Sequence, residues 1–126
     1  MARILVMDDD ELLRGALRVA LEAAGYEVVE AANGDEGLRL QREQGADVVL
    51  VDIFMPVRDG LEVIRALRAE IPQPHIVAMS GGGQTGQIEV LRAAAALGAA
   101  RTLLKPFEPR ALLMVIRELL GEAAAS

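Results

Sequence analysis

The sequence predicts an α/β domain with an open, parallel, five-stranded sheet and helices on both faces. Five short apolar segments alternate with five longer amphipathic segments along the chain. Three of the short segments are apolar almost throughout, which is typical of parallel strands that are covered on both sides. Five β-α units in 126 residues suit one domain with right-handed crossovers and a single doubly wound sheet.

The predicted strands and helices follow directly from this alternation. The strands are RILVM (3–7), EVVEA (27–31), DVVLV (47–51), HIVAM (75–79) and RTLL (101–104). The helices, in which apolar residues recur at helical spacing, span 11–24, 34–43, 60–70, 85–97 and 109–120. Asp59 and Pro109 suit the first turns of two helices, and Gly25 and Gly98 suit the ends of two others.

Composition excludes several classes of function. The sequence contains no cysteine, which rules out disulfides and thiolate metal sites. A net charge of −6 and only three aromatic residues argue against a surface for nucleic acid. No apolar run is long enough to span a membrane, and the N-terminus MARILVMDDD does not resemble a secretory signal. We therefore expect a cytoplasmic protein that binds neither nucleic acid nor membrane, with residues 1–121 as one domain and 122–126 as a frayed tail.

Chemically active side chains collect where the predicted strands end. The groups that follow the first, third, fourth and fifth strands are Asp8, Asp9 and Asp10, then Asp52, Ser80 and Lys105. In open α/β sheets, ligands bind beyond the carboxyl ends of the strands, at the point where the strand order reverses. The second strand has no comparable group, which fits the strand order 2-1-3-4-5 with the first and third strands adjacent.

This arrangement predicts a magnesium site. Adjacent strands lie about 4.8 Å apart, so Asp8, Asp9 and Asp52 can share one pocket, and carboxylate oxygens are ligands that Mg²⁺ prefers. The acids from Asp8 to Glu11 could instead form the N-terminal cap and first turn of the next helix, where negative charge is favourable. We favour the capping interpretation for Asp10 and Glu11, and the metal interpretation for Asp8 and Asp9.

Four motifs, each at a strand end, identify a family. They are LVMDDD at the first strand, VDIFMPVRDG (51–60) at the third, AMSG (78–81) at the fourth and LLKPF (103–107) at the fifth. With these motifs in this order, the chain resembles the receiver domains of bacterial two-component response regulators over essentially its whole length. The resemblance implies a flavodoxin-like (βα)5 fold.

The resemblance also implies which motif residues bind the metal ion and which one accepts the phosphoryl group. Asp8 and Asp9 match the acidic pair that holds Mg²⁺, with Asp9 the closer ligand. The backbone carbonyl of Phe54 matches the third ligand that the protein supplies. Asp52 matches the aspartate that accepts a phosphoryl group from a phosphohistidine.

Two further residues match groups that contact the phosphoryl group. Ser80 matches the hydroxyl residue that turns toward it, and Lys105 matches the lysine that pairs with its oxygens. The peptide bond between Lys105 and Pro106 matches one that is usually cis in the family.

These matches imply a signalling function with a kinase as its partner. We expect a sensor histidine kinase or a histidine phosphotransfer protein to phosphorylate Asp52. The chain would catalyse only this transfer onto itself and slow self-dephosphorylation. Because the sequence holds no output region, the signal is expected to leave through protein contact or phosphoryl shuttling. A homodimer or a protein target would use the fourth helix, fifth strand and fifth helix.

Other interpretations of the sequence are open. The chain could be the receiver part of a larger regulator or hybrid kinase. It could be a magnesium-dependent aspartyl-phosphate hydrolase, although such enzymes place a second aspartate where this chain has Phe54. It could also be an interaction domain that no longer accepts phosphate, against which the complete set of motif residues argues.

The sequence departs from the family pattern near the predicted switch. Thr102 replaces the Tyr or Phe that is usual three positions before the lysine, and the loop after Ser80 is rich in glycine. We therefore expect phosphorylation to reorder residues 80–90 rather than to move the side chain of residue 102. The last helix is apolar on more than one side, which indicates either a second partner or ordinary burial of flanking residues.

Overall fold

The computed structural model describes residues 1–55, 57–81 and 87–122. Its five strands form one parallel sheet in the order β2-β1-β3-β4-β5, which confirms the predicted fold. The strands are β1 (Arg3–Met7), β2 (Glu27–Ala31), β3 (Val48–Asp52), β4 (His75–Ser80) and β5 (Arg101–Leu104). The helices are α1 (Glu11–Ala23), α2 (Gly34–Gln44), α3 (Gly60–Arg68), α4 (Gln87–Leu97) and α5 (Pro109–Leu120).

Two strands extend one residue further than their apolar runs. Asp52 is the last residue of β3 and pairs in register with Met79, while Ser80 is the last residue of β4 and pairs with Leu104. A strand ends where its backbone leaves the hydrogen-bonded ladder, and a polar side chain at the last position does not disturb that ladder. Both polar side chains therefore project from regular strand backbone.

The helix starts agree with the predicted caps. The carboxylate of Asp10 accepts hydrogen bonds from the amides of Leu12 and Leu13, so Asp10 is the N-cap of α1. Asp59 caps α3 in the same way, and Pro109 lies in the first turn of α5. The predicted start of α4 at residue 85 lies outside the described residues.

The core has two layers, one on each face of the sheet. On one face, α2, α3 and α4 pack against the strands, and the buried set includes Leu5, Met7, Leu38, Val49, Val51, Val63, Ile64, Leu67 and Ala94. On the other face, α1 and α5 contribute to a set that includes Ile4, Val6, Leu17, Leu21, Val48, Leu50, Leu112 and Ile116. Alternate residues of β1 and β3 enter opposite layers, as strand geometry requires, and both strands are buried.

The apolar flanks of α5 are mostly covered within the domain. Leu113 and Leu120 pack partly against the α1–α5 layer, which agrees with ordinary burial. Met114 remains 56% exposed. The helix ends at Leu120 with Gly121 as its C-cap, and the next residue, Glu122, accepts a hydrogen bond from the Tyr26 hydroxyl (2.9 Å).

None of the helices in residues 1–55, 57–81 and 87–122 is both long and apolar enough to cross a bilayer.

Candidate functional site

Asp52 is buried at the end of β3, and the turn that follows it packs closely against its backbone. Its residue exposure is only 6%, and the Phe54 amide donates a hydrogen bond to its Oδ1 (3.3 Å). The chain then folds back so tightly that a Cβ at Gly60 would lie 2.6 Å from the Asp52 carbonyl oxygen. Only glycine permits this approach, which fixes the backbone beneath the carboxylate.

The same turn contains a strained residue, Val57, whose φ is 75°. Left-handed backbone is costly for a β-branched residue, and 75% of this valine is exposed. Replacing Val57 with glycine is therefore expected to stabilise the protein by about 1 kcal/mol in urea unfolding. The control, Val57→Ala, removes the same exposed side chain but keeps most of the backbone strain. Equal stability of the two variants would contradict the strain interpretation.

Asp8 and Asp9 follow β1 with opposite exposure. Asp8 is fully buried, and its amide extends the β1–β2 pairing by donating to the Ala31 carbonyl (3.1 Å). Its Oδ1 accepts a hydrogen bond from the Asp10 amide (2.9 Å). Asp9 is exposed beside it, so one acid of the pair is locked in place while the other faces solvent.

Lys105 brings positive charge to the buried acids. Its Nζ lies 2.7 Å from Asp8 Oδ2 and 3.6 Å from Asp52 Oδ2. The Lys105 amide donates to the Ser80 carbonyl, and a Cβ at Gly81 would collide with the lysine side chain. The Lys105–Pro106 peptide bond is cis, as the resemblance implies. Lys105 is also the only lysine in the sequence.

Burial of the acidic site raises the pKa of the Asp52 carboxyl group. Desolvation raises its pKa to about 6, and the negative charge of Asp8 adds to the increase. Lys105 and the Phe54 amide oppose this increase because they favour the charged form. The Asp52 carboxylate is therefore held at an unfavourable site that additional positive charge would stabilise.

The three acids fit a divalent cation. One carboxylate oxygen each from Asp8, Asp9 and Asp52 lies within 4.8 Å of the others. The two hydrogen bonds that the Asp8 carboxylate accepts, from the Asp10 amide and from Lys105, do not exclude it as a ligand, since each carboxylate oxygen has two lone pairs. A set of carboxylate oxygens in which one member, Asp9, is exposed to solvent suits Mg²⁺, which keeps several of its waters.

The remaining predicted site residues lie nearby with less defined contacts. Ser80 is buried at the end of β4, and its Oγ has no hydrogen-bond partner within the described residues. Phe54 lies two residues after Asp52, and 43% of it is exposed. Its carbonyl as a metal ligand remains a prediction.

The predicted switch involves the loop after Ser80 and the side chain of Thr102. Residues 82–86 of the glycine-rich loop lie outside the described residues. Thr102 is half-buried in β5, in register with Ala78.

Sequence reasoning missed one residue at the site, Arg14. Its Nη1 donates to the Asp8 carbonyl (2.8 Å), and its Nε donates to Glu30 (3.0 Å). The available signal was an arginine one helical turn beyond Asp10, in the first predicted helix. Its partner on β2 could not be identified before the sheet was known.

The chain has many relatives among response regulators. It is 34% identical over 122 residues to the transcriptional regulatory protein ResD of Bacillus subtilis, a match covering 97% of this chain and 49% of ResD. It is 32% identical over 117 residues to the transcriptional regulatory protein SrrA of Staphylococcus aureus, covering 93% of this chain and 47% of SrrA. The chain thus spans about half the length of these curated relatives.

Solved structures of receiver domain proteins have the same fold as this chain. A CheY-like response regulator receiver domain protein from Methanospirillum hungatei superposes with a TM-score of 0.87 at 30% identity, over 96% of this chain and 94% of that one. A receiver domain protein from Clostridium thermocellum gives a TM-score of 0.88 at 29% identity, over 96% and 95%.

Residues 4–117 match the response regulator receiver domain family, and this chain belongs to that family. The domain is a signalling module of two-component systems, and its relatives include transcriptional regulators. Receiver domains are phosphorylated by histidine kinases and generally bind Mg²⁺ at an aspartate cluster such as the one described above.

Proposed function

We propose that this chain accepts a phosphoryl group on Asp52 from the phosphohistidine of a sensor kinase or a histidine phosphotransfer protein, with Mg²⁺ bound by Asp8, Asp9, Asp52 and the Phe54 carbonyl. The observation that carries the proposal is the convergence of a buried carboxylate, two further acids and the single lysine at one end of the sheet.

The reaction exchanges one bond to phosphorus for another. An oxygen of the Asp52 carboxylate bonds to phosphorus as the bond from phosphorus to the histidine nitrogen breaks. The imidazole leaves with the electron pair and takes up a proton, and Asp52 becomes an acyl phosphate. Later attack by water on phosphorus breaks the bond to the Asp52 oxygen, releases inorganic phosphate, restores the carboxylate and ends the signal.

Neutralisation of charge is the main requirement of this step, because the transferring group carries several negative oxygens. Bound Mg²⁺ supplies positive charge at those oxygens. Lys105 supplies more, since its Nζ already lies 3.6 Å from Asp52 Oδ2. Ser80 offers a buried hydroxyl without a described partner, which is suited to a charge-assisted hydrogen bond with a phosphoryl oxygen.

We base the proposed partners on the family of the chain and on its exposed apolar side chains. We propose that the kinase acts on the chain in the cytoplasm. The α4–β5–α5 surface presents Ile88, Leu104 and Met114, one exposed apolar side chain from each element, with exposures of 59%, 49% and 56%. Such a surface suits a protein target or a second copy of the domain.

Two other functions make different predictions for the same site. A hydrolase would turn over small phosphate esters many times, whereas a receiver would hold one phosphoryl group per chain. An interaction domain without phosphoacceptor activity would form no acyl phosphate. The buried acid–lysine arrangement supports the receiver proposal over the last of these.

The proposal is tested with a small phosphodonor. Incubation with acetyl phosphate and Mg²⁺ should add the mass of one phosphoryl group to the intact protein, and a chelator should prevent the addition. Asp9→Asn should reduce both Mg²⁺ affinity and the yield, whereas Asp35→Asn, an exposed acid paired with Arg58, should change neither. Equal phosphorylation with and without chelator would contradict the proposal.

A further inference from the structure

Arg14 connects the helix that follows β1 to the acidic site. The arginine lies in the first half of α1, and its side chain is only 15% exposed. Its Nη1 donates a hydrogen bond to the carbonyl of Asp8, while its Nε donates to a carboxylate oxygen of Glu30 on β2. One guanidinium thus joins three elements: the β1–α1 turn, α1 itself and β2.

The contact with Arg14 completes the set of bonds around Asp8. The amide of Asp8 donates to Ala31, its carbonyl accepts from Arg14, its Oδ1 accepts from the Asp10 amide and its Oδ2 accepts from Lys105. The residue itself is fully buried, so these four contacts within the protein hold it in place. The direction of the Asp8 carboxylate is therefore fixed from its backbone as well as from its tip.

These bonds form a continuous chain of contacts across the sheet. It runs from Glu30 through Arg14 and Asp8 to Lys105, that is, from β2 near one edge to the residue after β5 at the other. Arg14 and Arg18 both hold Glu30 in its charged form and lower its pKa, with the hydrogen bond from Arg18 the largest cause. Glu30 is thus a fixed anchor for the guanidinium of Arg14.

We propose that Arg14 is a positioning residue for the phosphoacceptor site: it holds the β1–α1 turn so that Asp8 and Asp9 keep the geometry that Mg²⁺ requires. This inference rests on the proposed function. Metal sites tolerate displacements of only about 0.5 Å in their supporting groups, and loss of a group that orients a ligand typically weakens metal binding by about 10-fold or more.

Arg18 provides a matched control for a purely structural role. It lies one turn further along α1 and donates to the other oxygen of Glu30 (2.8 Å), but its second bond goes to the exposed Glu22. If the arginines only fasten α1 to β2, their loss should have similar consequences. If Arg14 positions the site, only its loss should reach the acids.

The test compares Arg14→Met with Arg18→Met, since methionine keeps part of the apolar stem. Isothermal titration calorimetry of the full chain with MgCl₂ should show about 10-fold weaker binding for Arg14→Met and a change within about 2-fold for Arg18→Met. Hydrogen exchange without metal should be faster at the Asp10 amide only in Arg14→Met, because that amide bonds to the carboxylate of Asp8. Arg14→Lys, which can keep one of the two bonds, should fall between wild type and Arg14→Met.

The outcomes separate this inference from the proposed function. Equal Mg²⁺ affinity in wild type and Arg14→Met, or an equal loss in both methionine variants, would overturn the positioning role. If the wild type itself bound no Mg²⁺, the proposed function would fail. The exchange rate of the Asp10 amide would then still decide whether Arg14 holds the turn, and the lysine variant would decide it if Arg14→Met did not fold.

Discussion

Replacing Asp52 with asparagine is expected to stabilise the metal-free protein by about 2 to 3 kcal/mol at pH 7.5. Burial raises the pKa of Asp52 to about 6 from an ordinary value of 3.8, and each unit of such a shift corresponds to about 1.4 kcal/mol. Ionised Asp52 therefore opposes folding, and asparagine removes that charge while keeping an oxygen to accept the Phe54 amide.

The pH dependence of this gain follows from the sign of the shift. The folded protein holds the Asp52 proton more tightly than the unfolded chain, so the stability due to protonation is complete below pH 3.8 and is lost as pH rises through about 6. The advantage of Asp52→Asn should accordingly be full at pH 7.5 and shrink toward pH 4. Urea unfolding at both pH values, in chelator, measures it, with Glu62→Gln on the exposed side of α3 as control. A gain that is independent of pH would contradict the burial effect.

Replacing Lys105 with methionine is expected to have the opposite effect, a loss of about 3 kcal/mol at pH 7.5. Asp8 is fully buried, and the lysine Nζ lies 2.7 Å from its Oδ2. Without the lysine, that fully buried oxygen loses its only described charged partner. Removal of one member of a buried ion pair is costly because the other charge remains.

An exposed ion pair at the start of β5, the strand that precedes Lys105, supplies the control. Arg101 pairs with Glu118 at 3.0 Å, but the two side chains are 46% and 55% exposed, so Arg101→Met should change stability by less than about 1 kcal/mol. The double variant Asp8→Asn with Lys105→Met should recover most of the loss, because neither charge is then left unpaired. Similar unfolding midpoints for Lys105→Met and Arg101→Met would show that the buried pair contributes little.

The fold could be predicted from the sequence because local patterns and long-range topology agree. Apolar runs mark the strands, and the placement of polar residues after four of them indicates the strand order. The ends of β3 and β4 were each one residue short, since an apolar run stops where polarity begins whereas a ladder stops where hydrogen bonds end. Asp52 and Ser80 are polar, so they lie beyond the apolar runs, but the backbone of both remains in the hydrogen-bonded strands.

The contacts between residues of the site were harder to predict than the identity of those residues. Strand order places Lys105 closer to Asp52 on β3 than to Asp8, which follows β1, yet its shorter distance is to Asp8. The turns above the sheet edge, together with the long side chain of lysine, decide that distance. The contacts of Arg14 with Asp8 and Glu30 likewise depend on how α1 packs against β2. Sequence spacing carries no information about that packing.

The most direct test of the phosphoacceptor role locates the modified residue. After treatment with acetyl phosphate and Mg²⁺, borohydride reduction converts an aspartyl phosphate to homoserine, which tandem mass spectrometry can place in the sequence. Homoserine should appear at position 52 alone and should be absent from Asp52→Asn. Homoserine at position 8 or 9, or undiminished phosphorylation of Asp52→Asn, would contradict the assignment of Asp52 as the acceptor.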